Sequence, residues 1–227
     1  MADIRRHGGE QLPLVLPHEV AFGHDDFLLG ASNRAAFSLV GSWPAWPSQT
    51  AVIAGPVGSG KTHLAHVWQG VSGAPILSAG TLRGEDVTAL AANRAVAIED
   101  AHAGFDETAL FHLFNAARDS GASLLITSRS WPQSWGLRLP DLASRLRAAT
   151  PVEILEPDDD LLRRVLVKLF ADRQIDIDPA VVEFLVVRME RSVAAAQILV
   201  EQLDQASLSA ARRITRPMAA KVLASAG

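Results

Sequence analysis

The sequence of 227 residues contains no cysteine, which excludes disulfides, thiolate metal sites and cysteine nucleophiles. It also has no surplus of basic residues: 21 Lys and Arg stand against 25 Asp and Glu, for a net charge of -4. That balance argues against bulk duplex binding as the main role, since counterion release needs a basic surface. No run approaches the roughly 18 uninterrupted apolar residues of a membrane span, and the N-terminus does not resemble a secretory signal. We therefore expect a globular cytoplasmic protein without membrane contact.

Short apolar runs alternate with helical patterns between residues 50 and 155. The runs predict strands buried on both faces, and they are Thr50–Ala54, Pro75–Ser78, Ala95–Glu99, Ser123–Thr127 and Val152–Leu155. The helical patterns between them span Lys61–Gln69, Glu85–Ala92, Glu107–Asp119 and Leu139–Arg147. Repeated alternation of strand and helix predicts an α/β fold with a parallel sheet and right-handed crossovers.

The chain changes character after Pro157, because the remaining residues predict helices only. Signals for the starts of four helices follow at Asp158, at Asp178, at Ser192 or Arg191, and at Thr215. We therefore expect a small helical subdomain after the α/β body.

The strongest motif matches G-x-x-x-x-G-K-[ST] in full and consists of Gly55, Pro56, Val57, Gly58, Ser59, Gly60, Lys61 and Thr62. Its glycines let successive backbone N–H groups turn towards a phosphate. Lys61 would reach the β- and γ-phosphate oxygens, and the Thr62 hydroxyl would ligate Mg²⁺. A strand is predicted before the loop and a helix after it, so the helix N-terminus would also favour an anion.

Polar side chains end two neighbouring strand candidates. Glu99 and Asp100 follow a buried run, where in phosphate-loop proteins one acid helps to hold Mg²⁺ and another orients the attacking water. The alternative is a pair of solvated acids capping a strand. Thr127 and Ser128 end the other run, where a hydroxyl would polarise the water or contact the γ-phosphate, although Ser and Thr commonly end strands.

Arg145 lies near the end of a helical pattern, far in sequence from the loop. An arginine remote from its own phosphate can serve a neighbouring molecule in trans, as an arginine finger does. The alternative is a surface arginine that interacts with the C-terminus of its own helix. His63 and His66 lie three residues apart after the loop, where packed or surface histidines are more expected than a metal site.

The run QLPLVL at residues 11–16 is short and apolar. Leu12, Leu14 and Leu16 would lie on one face of an extended chain, and Gln11 offers amide donors and an acceptor at its start. Taken alone, the run predicts an N-terminal arm packed on its own core. An exported peptide ligand is the alternative.

These features, in this order, resemble the AAA+ family and within it the replication initiator DnaA and the related Hda regulators. The segment FLLGASNRAAF at 27–37 resembles the part that wraps the adenine, which implies that Leu28, Leu29 and Gly30 bind nucleotide. The stretch GPVGSGKTHLAHVW resembles the Walker A loop and helix of this group, His63 included.

The C-terminal half carries two further resemblances. LPDLASRL resembles Box VII with Arg145 at the finger position, and residues 199–223 are similar to the Hda lid. The layout implied is an N-terminal arm at 1–20, an AAA+ nucleotide-binding subdomain at 21–157 and a helical lid at 158–227.

The resemblance implies a regulator that binds ADP or ATP, with Mg²⁺ held through Thr62 and Glu99. It implies that Arg145 stimulates ATP hydrolysis by the AAA+ domain of DnaA, which represses replication initiation. The sliding clamp would be the second partner, bound through Gln11, Leu12, Leu14 and Leu16. Weak contact with clamp-bound DNA and a nucleotide-dependent homodimer are also compatible with it.

Two departures from the family pattern bear on activity. Glu99 stands where the family has Asp, and Ala194 stands where the lid normally carries the sensor 2 arginine, with Arg191 about one turn earlier as a partial substitute. We therefore expect weak or no intrinsic hydrolysis, since a charge-assisted bond to the phosphates is lost. The main alternative is an autonomous AAA+ ATPase, such as a helicase loader or clamp-loader-like motor, and a weaker one is a phosphate-loop kinase.

Overall fold

The computed structural model describes residues 27–226, so the predicted clamp-binding peptide at 11–16 lies outside the described residues. A central sheet contains β1 (Thr50–Ala54), β2 (Ile76–Ser78), β3 (Ala95–Glu99), β4 (Ser123–Ser128) and β5 (Thr150–Glu153). Neighbouring strands are parallel, in the spatial order β2-β3-β4-β1-β5. The carboxyl ends of β1, β3 and β4 therefore meet at one edge, where open parallel sheets bind ligands.

Within residues 27–226, five α-helices alternate with or flank the strands of the sheet, and four more follow the last strand. The first group is α1 (Arg34–Gly41), α2 (Lys61–Ser72), α3 (Val87–Ala91), α4 (Glu107–Ser120) and α5 (Pro140–Ala148). The second group is α6 (Asp159–Asp172), α7 (Pro179–Val186), α8 (Val193–Ala210) and α9 (Arg216–Ala226). The predicted α/β fold with a parallel sheet and a helical C-terminal region is confirmed.

Some boundaries differ from the prediction. β5 begins two residues before the predicted run, because this edge strand alternates between half-buried and exposed positions and is not marked by continuous apolar residues. The helix predicted from Glu85 begins as a 3₁₀ turn, Gly84–Asp86, before α3. The sequence patterns did not predict α1.

Apolar side chains cover both faces of the sheet. One face packs against α3, α4 and α5 through a cluster that includes Val52, Ile98, Ile126, Leu110 and Leu113. The other packs against α1 and α2 through Ile53, Leu125, Leu39, Leu64 and Trp68, among others. Every residue of β1 and β4 is buried, as expected for strands covered on both sides.

The C-terminal helices form a lid with its own apolar core, which includes Leu162, Phe170, Leu185, Val200 and Leu203. The side chains of Asp158, Asp178 and Ser192 accept hydrogen bonds from first-turn N–H groups, so the predicted starts of α6, α7 and α8 are confirmed. Of the helices described, none is long and apolar enough to cross a membrane.

Candidate functional site

The loop of residues 55–62 leaves the carboxyl end of β1 and enters α2. Gly58 and Gly60 have φ angles of 68° and 97°, in the left-handed region that glycine adopts at little cost. Gly60 is also the N-cap of α2, so the first N–H groups of the helix adjoin the loop. The loop is therefore placed between a buried strand and a helix N-terminus, as an anion-binding loop requires.

Lys61 lies inside this loop. Its Nζ donates to the carbonyl oxygens of Gly55 at 2.8 Å and Pro56 at 2.6 Å, and it lies 3.4 Å from Ser59 Oγ. Burial lowers the pKa of Lys61, and the charge of Asp100 acts in the opposite direction. A phosphate bound in the loop would supply the negative charge that favours the ammonium form.

Glu99 ends β3 beside the loop. Burial is the main cause that raises the pKa of Glu99, and hydrogen bonds from the Thr62 and Thr127 hydroxyls oppose that rise. The Thr127 hydroxyl donates to Glu99 Oε1 at 3.4 Å. An acid from β3, a hydroxyl from β4 and a hydroxyl from α2 are thus joined at the carboxyl edge of the sheet.

The two hydroxyls at the end of β4 have different surroundings. Thr127 contacts Glu99 and also accepts a hydrogen bond from the Asp100 N–H at 3.3 Å. Ser128 is fully buried, and its hydroxyl accepts from the Ser130 N–H at 3.3 Å. Successive side chains of a strand point to opposite faces, so Thr127 is the one placed beside the acid.

Asp100 directly follows β3 in a left-handed conformation, with φ of 57°. Its side chain is about half exposed, and Oδ1 lies 3.8 Å from His102 Nδ1. Burial lowers the pKa of His102, and the nearby Arg129 lowers it further. Asp100 is therefore more open to solvent than Glu99 at the same edge.

The segment predicted to wrap an adenine lies between the loop and the lid. The ring of Phe27 packs edge-on against His63 at a centroid distance of 5.1 Å and stacks on Phe37 at 5.4 Å. Leu28 packs against the apolar core of the lid. The segment thus contacts both the loop helix and the lid.

Hydrogen bonds hold the next residues of this segment in place. The Gly30 N–H donates to Asn33 Oδ1 at 2.8 Å, and Arg164 of α6 donates to the Leu29 carbonyl at 2.8 Å. A side chain at residue 30 would meet Leu161 Cδ2 at 2.9 Å, so glycine permits the close approach of α6.

The lid also touches the loop directly. The Val193 N–H at the start of α8 donates to the Gly58 carbonyl at 3.0 Å. A Cβ atom at Gly58 would lie 2.8 Å from Ala194 Cβ and 2.9 Å from Ser192 Oγ. Ala194, at the position expected for a sensor 2 arginine, therefore faces the loop with a methyl group in place of a charge.

Arg191 is engaged elsewhere. Its guanidinium donates to Asp159 Oδ1 at 2.6 Å and to the Pro157 carbonyl at 2.9 Å. These contacts tie it to the start of α6, so the expectation that it partly replaces a sensor 2 arginine is not supported by this arrangement.

Arg145 lies at the other end of the sheet. With Thr50 at the start of β1 and Ala149 it lines a cavity of about 170 Å³, whereas the phosphate loop follows the end of β1. Five residues at about 3.3 Å each separate the two ends by roughly 16 Å. Its guanidinium contacts Asn115 and Phe111 of α4. The alternative interpretation of the sequence, in which Arg145 interacts with the C-terminus of its own helix, does not describe these contacts.

The donors at the loop fit a nucleotide with Mg²⁺. Thr62 and Glu99 present a hydroxyl and a carboxylate that hydrogen bond to each other, and both are oxygen ligands of the kind that Mg²⁺ prefers. Lys61 adds a cation and α2 adds N–H donors for the phosphates.

Several residues at this edge were not identified from the sequence. Arg129 follows β4 and lines a pocket of about 350 Å³ beside Gly55 and Pro56, together with Trp131 and Glu153. Val193, at the start of α8, contacts the loop through its backbone N–H. No local motif marks these residues, since strand order and lid packing bring them to the site.

Residues 159–223 match the family described as "Hda, lid domain". The fold is similar to domain III of the replication initiation protein DnaA from Thermotoga maritima, with a TM-score of 0.77 and 18% identity, over 90% of this chain and 96% of that chain. It is also similar to AMPPCP-bound DnaA from Aquifex aeolicus, with a TM-score of 0.66 and 17% identity, over 82% and 65% of the two chains. A third similar structure is the RuvB Holliday junction branch migration motor from Thermotoga maritima, with a TM-score of 0.71 and 17% identity, over 89% of this chain and 71% of that chain.

Proposed function

We propose that this chain is an Hda/DnaA-related AAA+ protein, which its match to the Hda lid domain and its DnaA-like fold support, and that it stimulates ATP hydrolysis by DnaA and so represses replication initiation. In this proposal the chain binds an adenine nucleotide in its own loop and supplies Arg145 to the nucleotide of a DnaA molecule. The protein is expected to act in the cytoplasm.

The chain's own site suits nucleotide binding better than turnover. Lys61 and the N-terminus of α2 would hold the phosphates of ADP or ATP, and Thr62 and Glu99 would hold Mg²⁺, which neutralises phosphate charge. Ala194 offers no charge to the phosphates, and burial favours the protonated form of Glu99. Intrinsic hydrolysis is therefore expected to be weak.

The position of Arg145 is the observation that carries the proposal. It is roughly the length of β1 away from its own loop, and its side chain is only partly buried. Because it cannot reach that loop, its guanidinium is suited to a phosphate held by a second molecule. Arginine fingers accelerate phosphoryl transfer by about 10³–10⁵-fold.

The sliding clamp is the second proposed partner, and Gln11, Leu12, Leu14 and Leu16 are its proposed contacts. Alternate apolar side chains on an extended peptide suit pockets in a groove. Clamp binding would bring Arg145 to DnaA at a replication site, where weak contact with DNA is compatible with the proposal.

The test compares Arg145→Ala with Arg147→Ala, a matched control two residues later on α5 and exposed to solvent. ATP hydrolysis by DnaA is measured with the protein, sliding clamp and DNA present. We expect Arg145→Ala to abolish stimulation and Arg147→Ala to retain it. Stimulation that survives Arg145→Ala, or an equal loss in both variants, would rule out the finger assignment.

An autonomous AAA+ ATPase is the second candidate, since the hydrogen bond from Thr127 to Glu99 assembles an acid and a hydroxyl beside the loop. Turnover of ATP by the purified protein alone separates the two. Robust turnover that Lys61→Ala abolishes would favour the motor over the regulator.

A further inference from the structure

One face of α4 carries three contacts to the segment that leads into α5 and to α5 itself. Glu107, Phe111 and Asn115 are spaced four residues apart, so their side chains lie on neighbouring turns of the same side of the helix. We call these three residues the α4 stripe.

Glu107 fixes where α5 begins. Its carboxylate accepts hydrogen bonds from the N–H groups of Arg138, at 3.0 and 3.1 Å, and of Leu139, at 2.9 Å. Leu139 is the N-cap residue of α5. One end of the helix that carries Arg145 is thus tied to the first turn of α4.

Phe111 and Asn115 hold the side chain of Arg145. An Nη atom of Arg145 donates to Asn115 Oδ1, and the guanidinium carbon lies 5.3 Å from the centroid of the Phe111 ring. The amide oxygen and the face of the ring are both sites of negative potential that attract a guanidinium. They constrain a long side chain that otherwise samples many rotamers.

Arg147, on the same helix, provides a comparison for the side-chain contacts of Arg145. Arg147 is exposed, and its guanidinium makes no hydrogen bond, ion pair or ring contact with residues 27–226. Only one N–H of Arg145 is engaged by Asn115, while a guanidinium has five. The remaining donors suit a bidentate contact with a phosphate.

We propose that Asn115 and Phe111 are positioning residues that hold the Arg145 guanidinium ready for a phosphate presented by a partner molecule. This inference rests on the proposed function, in which Arg145 acts in trans. The guanidinium acts on charge that develops on the phosphoryl group in the transition state, and a cation already held in place needs no reorganisation at that moment. Phe111 and Asn115 therefore raise the rate of the stimulated step and contribute little to docking.

The main experiment measures ATP hydrolysis by DnaA against the concentration of the protein, with sliding clamp and DNA. Asn115→Leu keeps the branching at Cγ and removes the acceptor, whereas Asn115→Asp keeps an acceptor oxygen. We expect Asn115→Leu to lower the maximum rate about tenfold, the size of a lost hydrogen bond to a charged group, with the half-maximal concentration little changed. Asn115→Asp should restore most of the rate, and Phe111→Leu should lower it less than Asn115→Leu.

The same measurement in an Arg145→Ala background completes a double-mutant cycle. We expect Asn115→Leu to cause no further loss there, because its effect passes through Arg145. A further loss of similar size, or an unchanged maximum rate for Asn115→Leu alone, would overturn the positioning role while the finger assignment stands. An Arg145→Ala variant that stimulates fully would overturn both.

A measurement on the protein without DnaA tests the positioning of Arg145 separately from its effect on ATP hydrolysis. The guanidinium protons of Arg145 are followed by NMR in the full chain, with thermal unfolding as the control for folding. We expect Asn115→Leu to speed the exchange of these protons with solvent and the rotation of the Arg145 guanidinium. The same two rates for Arg147 should be unchanged. Equal behaviour of Arg145 in wild type and Asn115→Leu would overturn the inference even if the enzymatic effect were seen.

Discussion

Gly58 offers a direct test of whether the lid rests on the phosphate loop. It has a φ of 68°, and a methyl group added there would meet Ala194 Cβ at 2.8 Å and Ser192 Oγ at 2.9 Å. Gly73 at the C-cap of α2 has a φ of 71° and open space around the same position. Gly58→Ala and Gly73→Ala therefore share the backbone strain of an alanine at positive φ, but only Gly58→Ala also creates a steric clash.

The backbone strain is common to both variants. An alanine in the left-handed region costs about 1–2 kcal/mol relative to glycine. Gly58→Ala also inserts a methyl group into a packed contact, which costs about a further 1–3 kcal/mol. At about 2–4 °C of Tm per kcal/mol for a domain of this size, Gly58→Ala should melt roughly 2–12 °C below Gly73→Ala.

The assay measures thermal unfolding and the affinity for ADP in both variants. We expect Gly58→Ala to bind ADP more weakly than Gly73→Ala, because the start of α8 must move away from the loop. Adding Ala194→Gly removes the shortest contact and should recover part of the lost stability. Equal losses in the two glycine variants, with no recovery from Ala194→Gly, would show that α8 does not pack on Gly58 in solution.

Two other predictions concern Glu99 and the N-terminal residues. The pKa of Glu99 is raised by burial above its ordinary value of 4.5, so the stability that its protonated form provides is present at low pH and lost as the pH rises through the raised value. Glu99→Gln should therefore raise the Tm more at pH 8 than at pH 4, and a difference independent of pH would contradict the cause given. Deletion of residues 1–17 should abolish retention on immobilised sliding clamp and leave ADP binding intact, as should Gln11→Ala combined with Leu12→Ala; a deletion that unfolds the protein would instead assign the run to the core.

Most of the fold could be predicted from local patterns. β1, β3 and β4 are covered on both faces, so their sequences are nearly continuous in apolar residues, and the residues that cap α6, α7 and α8 mark the helical region. β5 was placed two residues late because an edge strand has one unpaired side and needs no continuous apolar run.

The candidate site was predictable only in part. The loop of residues 55–62 is recognisable because its backbone conformation requires glycines at fixed spacing. Which hydroxyl contacts Glu99 was not predictable, because it depends on the register of β3 and β4, whose paired residues are 28 positions apart. The contacts of Arg145 with α4 likewise join residues about 30 positions apart.

The sequence by itself thus determined the succession of strands and helices along the chain from β1 onward, the phosphate loop and the caps, since each depends on residues within a few positions of one another. Only the tertiary structure decided that Ala194 lies against Gly58, that Thr127 lies beside Glu99 and that Arg145 lies at the far end of β1. These contacts follow from the strand order β2-β3-β4-β1-β5 and from the packing of the lid on the loop. Neither the strand order nor the packing of the lid can be predicted from local sequence periodicity, because both depend on contacts between apolar surfaces that are distant in sequence.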